Sequence, residues 1–508
     1  MAKRSPFDGS RKLDNLLLHI AGLVTAVTGV AILLSFVVEV LSSGPHVLAL
    51  LILGVITTLL GGTAWATTAI PKRIQVVDVF ITVTGAWVFL AVAGALPYLV
   101  TGSLEGVDYA LFESISGFTT TGATVLAPIE GTSKGVLFFR SISQWMGGMG
   151  VIVLVVAVLP TVGAGGMNLL EAEAPGPTGE RLTPRVRNTA RRLWALYLGF
   201  TVAVFLAYLI AGMSVYDGIN HAFTTVSTGG FSPYDASIHH FDSGLIEWIA
   251  IVSMFIAGTS FTLLYRAIRG KPGAFLESTE FKLYLGLVVV TTIIVMFTAG
   301  EGLDTGWDGL RDALFTVNAI VSTTGYATAD FQIWGDASKV VILLLMPLGG
   351  MAGSTAGGVK MIRLMAVGSF ARREALRQLH PRIVRPVRVG SYSLSDAVAF
   401  QVLGFLVLAL SIFGLAALLF AMTGADLVTS FSAAATSFGN VGPGLNAVGP
   451  TQNFTFIPRA GIPIAFITMI LGRLEIYPVV LALIAFTRAS PATLRRQVEN
   501  SRTVASKR

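Results

Sequence analysis

Long apolar stretches alternate with short polar ones along almost the whole chain. Apolar runs cover Leu16 to Leu41, Val47 to Ile70, Val76 to Val100 and Val136 to Leu159, and they recur as far as Val479 to Phe486. A helix that crosses a bilayer needs about 20 apolar residues, so each of the first four runs predicts a span. The first two are separated only by Ser42-Ser43-Gly44-Pro45-His46, a turn-forming sequence, and together predict a helical hairpin. The first run follows Lys3, Arg4, Arg11 and Lys12 in the manner of a signal peptide. Its length exceeds the roughly 7 to 15 residues of a signal core, so it reads as a retained span.

After Pro71-Lys72-Arg73 a longer pattern sets in and repeats four times: a span, a short Ala/Phe/Ser/Thr-rich segment, a small-residue loop and a second span. Such periodicity decides the architecture. The loops carry Thr120-Thr121-Gly122, Ser227-Thr228-Gly229, Thr323-Thr324-Gly325 and Ser437-Phe438-Gly439-Asn440. With Gly122, Gly229, Gly325 and Gly439 taken as equivalent, the intervals are 107, 96 and 114 residues, room for two spans and a re-entrant segment. Asp108, Asp217, Asp312 and Asp426 precede these glycines by 14, 12, 13 and 13 positions. Aspartate suits a helix N-cap and the positive end of the helix dipole. At about 1.5 Å per residue, a helix from each aspartate to its loop reaches only halfway across a bilayer.

A half-helix of this kind aims its partly negative C-terminal end at the membrane centre. Non-helical backbone at that depth persists only where protein covers it or it lines a watery cavity. Four carbonyl-bearing loops around one axis can replace the water shell of a monovalent cation. One Thr-Gly loop means little in a chain with 55 glycines; four in equivalent positions predict a shared pore.

Composition agrees with many spans, since charged residues make up only 12% of the 508 positions against about 25% in soluble domains. The net charge of +7 does not point to nucleic acid, because 28 of the 35 Lys and Arg fall in alternate loops and at the termini. These are Lys3 to Lys12, Lys72 and Arg73, Arg181 to Arg192, Arg266 to Lys271, Lys360 to Arg388, and Arg488 to the end. The positive-inside rule makes all six cytoplasmic, with both termini inside. The opposite loops carry Asp108, Asp217, Asp235, Asp242, Glu301, Asp304, Asp308, Asp330, Asp336 and Asp426, an acidic face that raises the local cation concentration. With no cysteine there is no disulfide or thiolate site. An enzyme is disfavoured by the lack of a Walker loop, an H-E-x-x-H pair or a metal-ligand cluster among six histidines.

Two further features bear on transport. Repeat three breaks its second span, since Val340 to Leu348 is too short to cross and Pro347 is followed by Gly349, Gly350, Gly353, Gly357 and Gly358 before Lys360. Glycines permit unusual backbone angles, so this segment, with Ser354 and Thr355, predicts an unwound mobile stretch. Small-residue helix packing is the alternative. The final span holds Arg473, with Glu475 two positions on, and a charge within a span is a functional candidate. Residues two apart point to different helix faces, so these two are not a simple pair. Glu113, His221 and Asn318, in the short helices, are expected to be hydrogen-bonded supports.

The motifs resemble the Trk/Ktr/HKT superfamily of potassium transport proteins, most closely the membrane subunit of bacterial Trk systems. Besides the four loops they include Gln144-Trp145-Met146-Gly147-Gly148-Met149-Gly150, Ala174-Pro175-Gly176-Pro177-Thr178, Arg181-Leu182-Thr183-Pro184-Arg185, Gly353-Ser354-Thr355-Ala356-Gly357-Gly358-Val359-Lys360 and Gly439-Asn440-Val441-Gly442-Pro443-Gly444. The resemblance implies an all-α polytopic membrane protein with four repeats in pseudo-fourfold arrangement behind an N-terminal hairpin, assembled as a homodimer. The expected divisions are hairpin 1–75, repeat one 76–160, cytoplasmic linker 161–187, repeat two 188–279, repeat three 280–390, repeat four 391–488 and cytoplasmic tail 489–508. It further implies a potassium filter of carbonyl oxygens in the four loops, with Gly122 favouring potassium over sodium. The segment from Gly349 to Lys360 would gate the pore from beneath, and Arg473 would line the path as a barrier to cations; an arginine satisfied by backbone carbonyls between helices is the alternative, and the two roles can coexist. No cofactor is expected in the chain. The basic stretch Arg363 to Arg388 would meet lipid or a cytosolic subunit with nucleotide-binding domains, in a bacterial inner membrane. Uptake through a gated, channel-like pore is the leading reading. A potassium symporter coupled to protons or sodium is the alternative, and it lacks an evident intramembrane relay.

Overall fold

A computed structural model describes residues 13–71, 74, 76–158, 183–382, 385–390 and 392–488. The Ala174 to Thr178 motif, the basic Lys3 to Lys12 and Lys72-Arg73 clusters, the linker as far as Leu182 and the tail 489–508 lie outside the described residues. The described chain is almost entirely helical. Helices α1 (Leu16–Leu41) and α2 (Val47–Thr67) form the expected hairpin. Glu39, buried near the end of α1, accepts hydrogen bonds from the His46 N–H at 3.0 Å and the Gly135 N–H at 2.8 Å. The hairpin is thereby tied to the helix that starts at Lys134, whose positive N-terminal end suits a carboxylate.

The remaining described helices follow in four groups along the chain. The first comprises α3 (Val76–Val100), α4 (Val107–Phe118) and α5 (Lys134–Val158). The second comprises α6 (Thr183–Ile210), α7 (Val215–Val226), α8 (Gly244–Ala257) and α9 (Phe261–Ile268), with α10 (Ala274–Glu277) as a connector. The third comprises α11 (Thr279–Thr298), α12 (Gly306–Val321), α13 (Asp336–Leu345) and α14 (Met361–Leu379). The fourth comprises α15 (Asp396–Met422), α16 (Leu427–Gly439), α17 (Gly461–Arg473) and α18 (Tyr477–Arg488). Among the described residues six helices are long and apolar enough to cross a membrane, and the bent pairs α8–α9 and α17–α18 bring the number to eight.

Breaks in the second spans are therefore more general than the sequence suggested. Repeat three is interrupted between Leu345 and Met361. The chain also turns by 103° between α8 and α9 and by 107° between α17 and α18. Strands are few: β1 (Leu13–Asp14) pairs in parallel with β2 (Thr68–Ala69), and β3 (Val387–Val389) pairs antiparallel with β4 (Tyr392–Leu394). The β3–β4 hairpin crosses the expected division at 390. It packs Val387, Val389 and Leu394 with Ile362 and Ala366 of α14.

The aspartate rule holds only in part. Asp426 caps α16 by accepting from the Thr429 N–H at 3.0 Å. In α7 the cap is Ser214, which accepts from the Asp217 N–H, and Asp108 lies in the first turn of α4 behind Gly106. Asp312 lies well inside α12, whose first turn carries Asp308 instead. The regular spacing reflects equal distance from the loops; in α12 an extra turn precedes it.

Candidate functional site

All four short helices end in the same backbone turn. The residues Thr120, Thr228, Thr323 and Asn440 have φ of 54°, 55°, 59° and 55°. The next N–H in each loop reaches back five residues: Thr121 to Ser116 O at 2.9 Å, Gly229 to Thr224 O at 2.8 Å, Thr324 to Ala319 O at 2.8 Å, and Val441 to Thr436 O at 3.0 Å. These are the 6→1 bonds of a Schellman ending. Asparagine tolerates the left-handed region well, but threonine there is uncommon and strained. The strained positions keep an oxygen-bearing side chain where glycine would be easier. Among the described residues Thr120 Oγ1 and Asn440 Oδ1 are buried without a hydrogen-bond partner.

Two residues past each left-handed position lies a glycine with positive φ: Gly122 at 81°, Gly230 at 76°, Gly325 at 74° and Gly442 at 107°. These four close a ring. A Cβ on Gly122 would fall 2.2 Å from the Gly229 carbonyl oxygen, one on Gly230 1.8 Å from that of Thr324, one on Gly325 1.7 Å from that of Val441, and one on Gly442 2.8 Å from that of Thr121. Each loop thus seats its glycine on the carbonyl of the next, and the fourth returns to the first.

This register corrects the equivalence read from spacing. Gly230 and Gly442, not Gly229 and Gly439, stand where Gly122 and Gly325 stand. Gly229 matches Thr121, and Gly439 belongs to the last turn of α16, where a Cβ would meet the Met346 carbonyl at 1.9 Å. Two of the loops offer more than one glycine, and spacing cannot choose between them. Asn440 was the usable signal, since a residue at ease in the left-handed region marks the turn two positions before the ring glycine.

On one side the four ring glycines line a cavity of ≈ 500 Å³ that also includes Arg140, Ser232, Tyr234, Asp235 and Gln452. Asp235 and Glu130 lie side by side there. The Asp235 N–H donates to Glu130 Oε1 at 2.9 Å, and the Ile129 N–H donates to the Asp235 carboxylate at 3.2 Å. Burial and the neighbouring Glu130 push the Asp235 carboxyl up to about 6, while the Asp235 hydrogen bond holds Glu130 below its usual range. Asp108 grips Arg459 through two contacts of 2.6 and 2.7 Å, and that guanidinium holds its carboxyl below the usual range.

Behind the ring, buried side chains fix the loops to one another. Arg140 Nε pairs with Glu113 Oε1 at 2.7 Å, both being essentially inaccessible. The same guanidinium donates to the Ser232 carbonyl at 3.0 Å and to Thr124 Oγ1 at 3.2 Å, and it lies 3.9 Å from the Phe231 ring centre. The amide of Gln144 donates to the Gly229 carbonyl at 2.7 Å and accepts from the Phe231 N–H at 3.0 Å. Asn440 Nδ2 donates to Thr121 Oγ1 and to the Met469 carbonyl, both at 3.0 Å. His221 contacts the Asp217 carbonyl at 2.8 Å and Ser232 Oγ at 3.2 Å, and Asn318 Nδ2 donates to the Ile251 carbonyl at 2.7 Å. Glu113, His221 and Asn318 therefore stand as hydrogen-bonded side chains beside the loops. The parts played by Arg140 and Gln144 were not singled out from the sequence.

The other side of the ring is occupied by the glycine-rich segment of repeat three. Its neck is closed where Leu348 and Val359 form a parallel bridge, with the Gly349 N–H on Val359 O at 3.0 Å and the Val359 N–H on Pro347 O at 2.9 Å. Between them the chain is unwound, as expected, but it is pinned rather than loose. The Gly357 N–H donates to Thr323 Oγ1 at 2.7 Å, and Thr355 Oγ1 donates to the carbonyls of Val226 at 3.1 Å and Ala257 at 3.3 Å. A Cβ on Gly357 would fall 2.6 Å from the Gly439 carbonyl oxygen. The break between α8 and α9 supplies Gly258 O to the Met351 N–H at 2.9 Å and the Phe261 N–H to Gly353 O at 3.0 Å. Glu280 Oε1 accepts from the Ala352 N–H at 2.8 Å. The buried Arg473 donates to the carbonyls of Thr355 at 3.0 Å and Gly147 at 3.3 Å, and Lys360 donates to the Ala356 carbonyl. Irregular backbone inside a membrane must be satisfied by protein, and the interrupted spans provide the partners.

The family model described as "Cation transport protein" (TrkH) matches residues 46–299 and 307–490. The chain is 39% identical over 418 residues to the Trk system potassium uptake protein TrkH of Halomonas elongata, covering 80% of this chain and 85% of that protein. It is 33% identical over 477 residues to the Trk system potassium uptake protein TrkG of Escherichia coli, covering 92% and 97%. The crystal structure of the potassium transporter TrkH from Vibrio parahaemolyticus superposes with a TM-score of 0.84 at 32% identity, over 94% of this chain and 99% of that one.

Proposed function

Because the chain belongs to the TrkH family of cation transport proteins, a family of multi-pass membrane transport proteins rather than enzymes, we propose that it takes up potassium through a pore at the centre of the loop ring. The observation that carries this reading is the closed cycle of contacts by which Gly122, Gly230, Gly325 and Gly442 each seat on the next loop's carbonyl. Four equivalent loops at the ends of four half-helices make a pseudo-fourfold arrangement in one chain. The partly negative helix ends favour a cation at the centre, and rings of carbonyls replace its hydration shell. Thr120, Thr228, Thr323 and Asn440 place side-chain oxygens at the inner end of this filter, and the unpartnered Thr120 Oγ1 and Asn440 Oδ1 suit a partly dehydrated ion there.

The cavity lined by the ring glycines is the outer vestibule, where carboxylates concentrate cations. The segment from Leu348 to Lys360 is the gate. It closes the inner side, and Arg473 adds a fixed positive charge beneath the filter. The basic residues beyond it, carried by α14 and the following linker, face the cytoplasm by the positive-inside rule. They offer a docking surface for a separate cytosolic nucleotide-binding subunit of the same transport system.

Rubidium flux through purified protein in liposomes tests this reading. Deleting Gly350 to Gly357 is expected to raise flux, and Gly122→Ser to relax the preference for potassium over sodium. Unchanged flux and selectivity in both variants would overturn the assignment.

A further inference from the structure

The break in the last span turns through two residues that rarely adopt its backbone. Glu475 has φ of 55° and Ile476 of 64°, and neither is glycine, the residue a left-handed helix ending favours. A β-branched residue held there persists only when its surroundings over-determine it. Ile476 is fully buried in one cluster with Val359, Phe405, Ala409 and Phe438, and Val359 is the neck of the gate segment. The Ile476 N–H donates to the Leu471 carbonyl at 3.0 Å. The carboxylate of Glu475 meets the guanidinium of Arg363, three residues beyond Lys360 in the first turn of α14. Arg363 in turn lies 3.9 Å from the centre of the Phe405 ring. Arg473, two positions earlier, reaches the other way, to the Thr355 carbonyl inside the segment. One turn of chain therefore touches the gate segment, its neck and the helix that continues from it.

We propose that the elbow from Arg473 to Ile476 is a latch that keeps the gate segment seated, with Glu475 as its positioning residue. The ion pair with Arg363 explains why glutamate occupies a position that glycine would fill with less strain. It anchors α14, and with it the neck at Val359, against the last span. Helix α14 continues to Arg372 and Arg377, and Arg373 ties it to Asp396 at the start of α15. Displacement of α14 from the cytoplasmic side therefore acts first on the Arg363–Glu475 pair. When that pair parts, the strained elbow relaxes and the segment withdraws from Thr323 and Val226. This inference rests on the reading of Leu348 to Lys360 as a gate.

The test is rubidium flux in liposomes containing the full chain, with wild type, Glu475→Gln, Glu475→Gly, Arg363→Gln, the Gly350 to Gly357 deletion, and the deletion combined with Glu475→Gln. Glu475→Gln, Glu475→Gly and Arg363→Gln are each expected to raise flux by about tenfold, a population shift well within reach of one lost ion pair. The combined variant is expected to match the deletion alone. Glu475→Gly is decisive, because it removes backbone strain and keeps thermal unfolding at or above the wild-type temperature. A merely structural role predicts that this variant leaves flux unchanged. Unchanged or reduced flux in Glu475→Gly, with the deletion still raising flux, overturns the latch and leaves the gate standing. If the deletion passes no more rubidium than wild type, the gate reading fails and the latch falls with it.

Discussion

The two faces of the loop ring are built from different materials. On the vestibule face four glycines border a cavity of ≈ 500 Å³, and the loops behind them are fixed by buried, fully partnered side chains such as Arg140 with Glu113 and Gln144 with Gly229. On the other face a twelve-residue segment from Leu348 to Val359 fills the space, held by backbone hydrogen bonds to the break between α8 and α9 and by single bonds through the side chains of Thr323, Thr355, Glu280 and Arg473. A network of buried side chains has one low-energy arrangement and gives a rigid geometry. A segment held by scattered single bonds of this kind can be released as a unit. In the proposed function, selectivity and gating fall on opposite sides of the same ring, and each side can be attacked separately.

The largest effect is expected on the rigid face. Arg140→Met leaves Glu113 buried without its guanidinium partner, and breaking such a pair costs about 3–5 kcal/mol. The thermal unfolding temperature of purified protein should fall sharply, and an unchanged temperature would show that the loops do not depend on this pair. Gly325→Ala comes next. Its Cβ would fall 1.7 Å from the Val441 carbonyl oxygen at a φ of 74°, and overpacking of this kind costs about 1–3 kcal/mol. Flux should be lost or its selectivity flattened, whereas Gly150→Ala, where no described neighbour lies within 4 Å of the added Cβ, should behave as wild type.

On the plugged face, Arg473→Ala is expected to raise flux about tenfold, since in the proposed pore a fixed positive charge beneath the ring opposes a passing cation by about 1 kcal/mol or more in a partly desolvated site. A fall in flux with an intact fold would make Arg473 a support and not a barrier. The smallest effect is at the vestibule rim. Asp235, with its carboxyl pushed up to about 6, gains a proton as pH falls from 7 to 5. Vestibule charge then drops, and apparent rubidium affinity should weaken by about twofold at most. The fold binds this proton more tightly than the unfolded chain, so the contribution of Asp235 to stability grows as pH falls through 6 and is lost as pH rises through it. Asp235→Asn should abolish both dependences.

The sequence disclosed much of this, because the features that matter most are written in residue types. Three Thr/Gly loops with a fourth, Phe-Gly-Asn loop, a proline followed by five glycines, and an arginine amid apolar residues are visible without coordinates. The register of the ring was not legible from spacing, because the second and fourth loops each offer more than one glycine, and only in the fourth does a residue at ease in the left-handed region, Asn440, mark the turn. The break at Glu475 and Ile476 was hidden for a related reason. Neither residue favours a left-handed turn, and what holds them there is Arg363, more than a hundred positions away. The break after Ala257 carries only Gly258 as a local sign, and its cause is the distant segment that takes up its freed backbone groups.

The most direct test of a potassium-selective pore closed on one face is the zero-current potential of the Gly350 to Gly357 deletion in a planar bilayer, with potassium on one side, sodium on the other and pH varied independently. The reading predicts a potential close to the potassium equilibrium value and indifferent to pH. A potential near zero under the potassium–sodium gradient, or one that follows the proton gradient, would contradict it.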